Sequence, residues 1–305
     1  MVTGGSGFIG NHFISELLKK KKFNIFSLSK KKIKKKLQIK NVKYIFCKIE
    51  NKQDLKKKLN LKIDYVVNFA GHINHSETKK TYKTHYIGLK NLTEILLRKD
   101  IKKFLQIGSS VEYGFTKSPQ KEESKLEVKK IKSIYGKSKL LSTNHLLNLY
   151  KKKRFPVLVI RPYLIYGPGQ KSDRLIPITI LNCLKNRRFD CSSGQQLRNF
   201  MYVKDFTKIV YNCFFLKING EILNIGSSKN YTVKFIINKI KKIINKGFPN
   251  YGKIKLRKDE PIHLSPDLNK FKKFIKYRYE TPIEKGLKKT ILYYKKLNYE
   301  KNISY

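Results

Sequence analysis

The chain opens with a glycine pattern that few folds accommodate, MVTGGSGFIG. Gly4, Gly7 and Gly10 have the spacing G-x-x-G-x-x-G, and apolar residues at helical spacing follow them. In such a loop the first glycine permits a tight turn, the second lets backbone approach a pyrophosphate, and the third allows close helix–strand packing. The N–H groups and positive dipole end of the following helix favour phosphate. The segment therefore predicts a dinucleotide-binding loop, with Phe8 and Ile9 in the first helical turn.

Short apolar segments alternate with segments of helical length over most of the chain. The candidate strands are 23–29, 42–49, 64–71, 103–110, 157–163 and 221–228, and the candidate helices between them include 12–22, 52–60, 78–99 and 134–152. Strands that are apolar on both faces and separated by helices are typical of a parallel sheet covered on each side. The pattern predicts an α/β fold, a doubly wound parallel sheet of the Rossmann type, which binds ligands at the carboxyl ends of its strands.

The alternation becomes less regular after the segment YGPGQ, where prolines and short elements are more frequent. We therefore predict a dinucleotide-binding domain over 1–165 and a smaller substrate-binding lobe over 166–305. Within that lobe, 200–228 is expected to return to the sheet of the first domain.

The first strand of the predicted sheet has little chain to form it. Three residues precede the loop, whereas a strand usually has about five. Either the strand is very short or residues are missing from the start. Because each lost ladder bond costs about 1 kcal/mol, we expect a folded domain of reduced stability.

The end of the second predicted strand bears on the choice of cofactor. An acidic side chain about 20 residues past a glycine loop usually binds the adenosine ribose hydroxyls. This chain has Ser29, Lys30 and Lys31 there instead, so no carboxylate repels a 2′-phosphate and two cations can accept one. We predict NADP, with NAD as the alternative, because lysines this frequent are also ordinary surface residues.

The formal net charge of +48 raises the question of nucleic-acid binding. Nine of the 69 basic residues are arginines, and lysines occur in nearly every polar segment. Nucleic-acid readers rely on arginine forks and aromatic residues in a localised patch. We interpret the lysines as solvated surface with no specific nucleic-acid partner, and expect their positive field to attract anionic substrates.

The sequence predicts neither a membrane span nor a secretory signal. It has no apolar run of about 18 residues, and it opens with a glycine loop. Four scattered cysteines without a C-x-x-C pair argue against a zinc site or a disulfide framework. His72 and His75 follow a predicted strand, but without carboxylate partners we expect no metal there. These features predict a cytoplasmic protein.

The segment YGKSK brings Tyr135 and Lys139 to one face of a predicted helix. An ammonium about 4 Å from a phenol, at an effective dielectric of about 20, favours the phenolate by roughly 4 kcal/mol, or about three pKa units. Ser109, near the end of strand 103–110, could hold a substrate oxygen while Tyr135 moves its proton. The spacing Y-x-x-x-K recurs in this chain, so the interpretation depends on the placement after a strand that ends in a serine pair.

Seven segments together resemble one enzyme family: VTGGSGFIG, IGSSVEYG, YGKSK, IRPYLIYGPGQ, LRNFMYVKDF, LNIGSS and TPIEKGLKKTILYYK. Through them nearly the whole chain resembles the extended short-chain dehydrogenase/reductases, specifically the nucleotide-sugar epimerases, dehydratases and reductases. The resemblance implies a Rossmann domain with bound NAD(P) and a smaller C-terminal lobe that holds a nucleoside-diphosphate sugar. It also implies a homodimer paired through helices 78–99 and 134–152.

The resemblance further implies roles for individual residues. Ser109, Tyr135 and Lys139 match the catalytic triad. The implied cofactor contacts are Gly4, Gly7, Phe8, Ile9, Gly10, Ser29, Lys30, Lys31, Ala70, Tyr135 and Lys139, and the implied substrate contacts are Ser110, Arg174, Arg198 and Arg257. Arg198 and Arg257 match family arginines that meet the substrate's phosphates, which a guanidinium binds through paired hydrogen bonds.

Departures from the family pattern bear on the reaction. The 4,6-dehydratases have an Asp-Glu pair directly after the catalytic hydroxyl residue, where this chain has Ser110 and Val111. Valine cannot move a proton, so we do not expect dehydration. His85 replaces a family asparagine that orders a proton-relay water, and either a relay role or simple packing would suit it.

The segment GSSVEYG looks most like the reductases of 4-keto-6-deoxy sugar nucleotides. We therefore predict NADPH-dependent reduction of such a nucleoside-diphosphate sugar, serving surface polysaccharide synthesis. The first alternative is a nucleotide-sugar 4-epimerase that retains NAD, because it uses the same triad. The second is a non-catalytic NADP-binding protein.

Overall fold

The computed structural model describes residues 1–72, 76–256, 260–276 and 280–303. The strands are β1 (Val2–Thr3), β2 (Ile25–Ser29), β3 (Val42–Phe46), β4 (Tyr65–Asn68), β5 (Lys103–Ile107), β6 (Val157–Pro162), β7 (Leu164–Tyr166), β8 (Arg188–Asp190), β9 (Leu197–Tyr202), β10 (Glu221–Ile225), β11 (Asn230–Thr232), β12 (Phe248–Asn250) and β13 (His263–Leu264). The helices are α1 (Phe8–Lys19), α2 (Lys52–Lys58), α3 (Thr78–Tyr82), α4 (Gly88–Leu96), α5 (Ile134–Lys153), α6 (Leu175–Leu184), α7 (Val203–Cys213), α8 (Val233–Ile244), α9 (Asn269–Phe274) and α10 (Ile283–Ile303).

The main layer, within the described residues, is a seven-stranded sheet in the order β10-β6-β5-β4-β1-β2-β3. Every neighbouring pair in it is parallel. The chain winds outward from β1 in one direction through β2 and β3, and in the other through β4, β5, β6 and β10. This is the predicted doubly wound α/β fold, and the switch beside β1 is where such sheets bind ligands.

Strand β1 is as short as the sequence predicts, yet both of its edges are paired. Val2 lies opposite Ser27 of β2 and Val67 of β4. The ladder also continues past the strand, because Gly4 donates its N–H to the Leu28 carbonyl at 2.7 Å. The predicted reduction in stability stays a prediction.

Two apolar layers cover the two faces of the main sheet. One contains Leu55, Leu89 and Leu146, from helices α2, α4 and α5. The other contains Phe13 of α1 and continues without a break to Leu287 of α10. The second layer therefore belongs to both the main sheet and the C-terminal part of the chain.

The C-terminal part is built around β9. That strand pairs with β11 in antiparallel register and with β7 and β13 in parallel register, while β8 and β12 form a separate two-stranded ribbon. Strand β10 follows α7 and joins the main sheet beside β6. The chain thus passes from the small sheet back to the large one. Because β7 directly follows β6, the small sheet lies beside the carboxyl edge of the large one.

The predicted elements differ from the structure mainly at their ends. Strands predicted over 64–71 and 103–110 end at Asn68 and Ile107, since the residues beyond leave the ladder at the ligand-binding edge. The helix predicted over 78–99 is interrupted by a π-helical turn over Lys83–Ile87. Such turns insert one residue into the helical register and frequently occur at functional sites.

Candidate active site

The glycine loop joins β1 to α1 through two very close backbone contacts. Gly4 has a φ of +67°, and a Cβ there would lie 2.9 Å from the backbone of Phe69 and Ala70. A Cβ on Gly10 would overlap the Gly4 carbonyl oxygen. Gly7 caps α1 in extended conformation without a side-chain hydrogen bond. The loop therefore leaves room for a ligand to approach the backbone at the N-terminus of α1, a place that fits a pyrophosphate.

The remaining predicted cofactor contacts surround this loop. Phe8 and Ile9 form the first turn of α1 and are half-buried, and Ala70 follows β4 and donates its N–H to Asn68 Oδ1 at 3.1 Å. Ser29 is buried at the end of β2, where its hydroxyl accepts the Ser6 N–H at 3.3 Å. The residues present therefore fit a dinucleotide.

Lys30 and Lys31 follow Ser29 directly and are exposed. Their ammonium groups extend from the end of β2, on the same edge of the sheet as the glycine loop. This position is compatible with a 2′-phosphate and equally with solvated surface.

Helix α5 carries Tyr135 and Lys139. Ser133 caps this helix by accepting the Gly136 N–H at 3.1 Å, which fixes Tyr135 in its first turn. The Lys139 ammonium is buried and donates to the Ile107 carbonyl, the last residue of β5, at 2.6 Å. Its Nζ lies 5.9 Å from the centre of the Tyr135 ring. The predicted pair is therefore adjacent, against the carboxyl end of a central strand.

Ser109 completes the predicted triad. It caps a 3-10 turn over Ser110–Tyr113, accepting the Val111 N–H at 3.3 Å, and its side chain hydrogen bonds with Tyr135. Ser110 is buried, whereas 38% of Val111 is exposed. A hydroxyl and a phenol thus meet at the carboxyl edge, as proton transfer to a substrate oxygen requires.

The electrostatics of Tyr135 contradict the prediction from its spacing. Burial raises the pKa of Tyr135, and its hydrogen bond with Ser109 opposes that rise only in part. Burial also lowers the pKa of Lys139 to about 8. The prediction that Lys139 brings the phenol toward neutrality is wrong, because desolvation raises the pKa of the buried phenol more than its neighbours lower it.

His85 lies against Tyr135. Its ring meets the Tyr135 ring edge-on at 5.1 Å between centroids. His85 Nε2 lies 3.1 Å from the His72 backbone N–H and 3.3 Å from the His72 carbonyl oxygen. The π-helical turn over Lys83–Ile87 contributes this residue, so His85 packs on the site rather than on the core alone.

The predicted substrate contacts are distributed unevenly. Arg174 caps α6, and its positive charge lowers the pKa of Tyr135, so the two lie near one another. Arg198 is buried away from solvent; its Nη2 donates to Glu260 Oε1 at 2.6 Å and its Nη1 to two backbone carbonyls. Arg257 lies outside the described residues, and so does His75.

Sequence reasoning missed a buried ion pair beneath Ser109. Glu112 is fully buried, and its Oε2 accepts from Arg161 Nε at 2.9 Å. The spacing S-x-x-E of a capping box, here Ser109 to Glu112, was the available signal. The partner Arg161 could not be found by spacing, because 49 residues separate it from Glu112.

The described residues offer neither a membrane-spanning helix nor a metal site. No helix there is long and apolar enough to cross a membrane. No group of three or more His, Cys, Asp or Glu side chains there could hold a metal ion. His72 does have a carboxylate neighbour, Glu77, with 3.3 Å between Nε2 and Oε1, so the expectation of no such partner was wrong.

Comparison with known proteins places the chain in a family. The sequence model described as NAD dependent epimerase/dehydratase family matches residues 1–226. A Bacillus subtilis protein described as an uncharacterized UDP-glucose epimerase is 28% identical, covering 96% of each chain. A Bacillus cytotoxicus UDP-N-acetyl-alpha-D-glucosaminuronate decarboxylase is 27% identical, covering 97% of this chain and 98% of the relative.

A solved structure agrees with these relatives. The dTDP-glucose 4,6-dehydratase from Bacillus anthracis, in complex with NAD, superimposes with a TM-score of 0.84 at 25% identity, covering 97% of this chain and 96% of the other. The relatives of the present chain are thus NAD-dependent enzymes that act on nucleotide sugars. The glycine loop, the Ser109–Tyr135–Lys139 arrangement and the 226 matched residues agree, and the chain belongs to the NAD dependent epimerase/dehydratase family.

Proposed function

We propose that the chain is a nucleotide-sugar 4-epimerase that retains NAD and acts by oxidising and re-reducing the sugar at C4. The contact of Ser109 with Tyr135, with Lys139 buried beside them, carries the proposal. In this family pattern the serine orients the sugar hydroxyl and the tyrosine takes up and returns its proton. The Bacillus subtilis relative, described as an uncharacterized UDP-glucose epimerase, supports the choice of an epimerase.

The residues divide the work between binding and proton transfer. Lys139 donates one hydrogen bond to Ile107, which leaves N–H groups for ribose hydroxyls of the dinucleotide. The dinucleotide, when bound, would accept and return the hydride, and its oxidised ring would add a positive charge that lowers the pKa of the phenol. Burial favours the protonated form of Tyr135, and the charge of a bound dinucleotide would favour its action as a base.

Ser110 and Val111 argue against dehydration. Elimination of water from the sugar needs an acid and a base on neighbouring carbons. Val111 carries no titratable atom, and Ser110 carries a hydroxyl that is a weak acid. The relatives that are dehydratases therefore do not determine the reaction of this chain.

A second candidate function is NADPH-dependent reduction of a 4-keto-6-deoxy nucleoside-diphosphate sugar for surface polysaccharide synthesis. Lys30 and Lys31 favour it, because two exposed cations at the end of β2 suit a 2′-phosphate. NAD is the first choice of cofactor, since the solved relative at 25% identity carries NAD. The two candidates differ in whether the cofactor is consumed.

The substrate's diphosphate has two candidate partners among the described residues. Arg174 lies near Tyr135, is partly exposed, and has its Nε 3.8 Å from Asp173 Oδ1. Arg198 is buried and donates to Glu260. Either arginine would exchange a carboxylate neighbour for a phosphate on binding the substrate.

We also propose a homodimer, and the cytoplasm as its location. The interface is predicted to use helices 78–99 and 134–152 of each subunit. Within one chain, ring contacts join these two segments through Tyr82, Tyr86 and His145, with 5.4 and 6.5 Å between successive ring centroids. All four cysteines are free and buried, which suits a reducing compartment. Light scattering of the purified chain would test the dimer, and a monomeric mass would contradict it.

The main experiment separates the two candidate functions. The purified chain is denatured, the released cofactor is identified, and native chain is incubated with a panel of UDP- and dTDP-sugars, with and without added NADPH. Epimerisation at C4 without added cofactor is expected, and the Tyr135→Phe variant serves as the control. Oxidation of NADPH by a 4-keto sugar would favour the reductase, and neither reaction with any substrate would overturn the proposed function.

A further inference from the structure

Glu112 joins three elements of the site through a single carboxylate. Its Oε1 accepts the Ser109 N–H at 2.8 Å. Its Oε2 accepts from the Thr143 hydroxyl at 2.7 Å and from Arg161 Nε at 2.9 Å. Ser109 belongs to the turn after β5, Thr143 to α5 and Arg161 to β6. One buried group therefore fixes the turn, the helix and the strand relative to one another.

The Glu112 carboxylate is closely packed by Gly108 and Arg161. A Cβ on Gly108 would overlap Glu112 Oε1 and lie 3.3 Å from Arg161 Cγ. The Arg161 guanidinium lies 4.6 Å from the centre of the Tyr113 ring and is almost completely buried. A buried carboxylate without a counter-charge is very unfavourable, and the Arg161 guanidinium supplies that counter-charge to Glu112.

The carboxylate holds the two elements that carry the triad side chains. Ser109, whose backbone it holds, hydrogen bonds with Tyr135. Thr143 lies one helical turn after Lys139 on α5, so both side chains project from the same side of the helix. The turn and the helix that supply the proton-transfer groups are thus joined underneath the site by Glu112.

We propose that Glu112 is a positioning residue for the reaction, which holds the Ser109 turn against the helix carrying Tyr135 and Lys139, with Arg161 as its counter-charge. This inference rests on the proposed function, because it assigns Glu112 a task in that same chemistry. Glu112 is fully buried, so the proposed role is indirect and runs through Ser109 and α5.

The charge of Glu112 reaches both catalytic groups as well. After burial, which is the larger cause, its negative charge adds to the raised pKa of Tyr135. The same charge opposes the lowering of the Lys139 pKa by burial. Removing the charge at constant geometry should therefore lower the pKa of Tyr135, a change that a merely structural residue would not produce.

Three variants separate the effect of the negative charge of Glu112 from the effect of the length of its side chain. Glu112→Gln removes the charge and keeps the length, and the double variant Glu112→Gln/Arg161→Met also removes the buried cation in case the single variant does not fold. Glu112→Asp keeps the charge and shortens the reach. The matched control is Asp205→Asn, a buried carboxylate on α7 that accepts from the Thr281 N–H at 2.7 Å and contacts none of the triad.

The readouts are kcat, KM, the pH profile and the titration of Tyr135. For Glu112→Gln and the double variant, we expect kcat to fall about tenfold with KM within twofold, and the rising limb of the pH profile to move to lower pH. Glu112→Asp should lower kcat without moving that limb. Asp205→Asn should change neither. Titration of the Tyr135 phenol, followed by the absorbance that Tyr135→Phe lacks, needs no turnover.

Two results would overturn the inference. One is a folded double variant with the wild-type kcat, pH profile and phenol titration. The other is a loss of kcat in Asp205→Asn as large as that in Glu112→Gln. If wild type turns over no nucleotide sugar, yet Glu112→Gln lowers the midpoint of the phenol titration, the proposed function fails while the coupling of Glu112 to Tyr135 stands.

Discussion

A buried lysine ammonium lies at each end of strand β5, and the two differ in how many of their N–H donors are hydrogen bonded. Lys103, at the amino end, donates to the Leu216 and Ile218 carbonyls at 2.7 Å and to Asn219 Oδ1 at 2.8 Å. Lys139 of α5 reaches the carboxyl end, where the Ile107 carbonyl is its single acceptor within the described part of the chain. Both side chains are nearly inaccessible to solvent.

The difference separates a structural amine from one available for chemistry. An ammonium has three donors, so Lys103 has used all of its hydrogen-bonding capacity and Lys139 has not. Burial lowers the pKa of both. A perturbed pKa therefore identifies neither role; the number of donors left unpaired, at the edge where ligands bind, distinguishes them.

The largest expected effect tests this comparison through activity. Lys139→Met should lower kcat by about 10²–10⁴-fold, the usual contribution of a group that supports proton transfer. Lys103→Met should leave kcat within about twofold and lower the free energy of unfolding, by about 1–3 kcal/mol for a buried acceptor left unpaired. Steady-state kinetics and urea unfolding of both variants measure this. Equal losses of kcat would show that donor capacity does not distinguish the two lysines.

The second effect concerns stability as a function of pH. The pKa of Lys139 is about 8 in the folded chain and 10.5 when unperturbed, so between these values the unfolded chain binds more protons. Stability should therefore rise with pH across that window, by about 3 kcal/mol relative to Lys139→Met. Urea unfolding of both proteins between pH 7 and about 10 measures the difference. A difference that does not change with pH would contradict a buried, weakly satisfied ammonium.

The smallest effect sharpens the structural half of the comparison. Asn219→Ala removes one of the three acceptors of Lys103 and should lower the free energy of unfolding by about 1 kcal/mol. We expect unchanged kcat and KM, because the contact lies at the end of β5 away from Tyr135. Thermal or urea unfolding measures the loss, with Lys103→Met as the upper limit. A change in kcat would mean that the two ends of β5 are coupled.

Local patterns predicted the fold and the adjacency of Ser109, Tyr135 and Lys139. The glycine spacing, the alternation of strands and helices, and the placement of Tyr135 after a serine-ended strand depend on residues close in sequence. The strand ends were predicted too long, because small residues such as Ala70 and Ser109 fit a strand pattern although their backbone leaves the ladder. The π-helical turn at His85 was missed, because periodicity does not register one inserted residue.

The remaining features depend on contacts distant in sequence. Glu112 meets Arg161 across 49 residues, and spacing could suggest the first of the two but not the second. The direction of the Tyr135 pKa was predicted wrongly, since a pairwise charge argument omits the desolvation that only the packed structure reveals. The sequence motif aligned Arg198 with a phosphate-binding arginine of the family. It could not predict that Arg198 pairs with Glu260.

The apolar layer that runs from Phe13 to Leu287 makes one shared core of the main sheet and the described C-terminal part of the chain. Because they share this core, we expect the two parts not to swing apart as rigid halves, and we expect ligand to enter past the loops at the carboxyl edge of the sheet. Heating should accordingly melt the protein in one calorimetric peak.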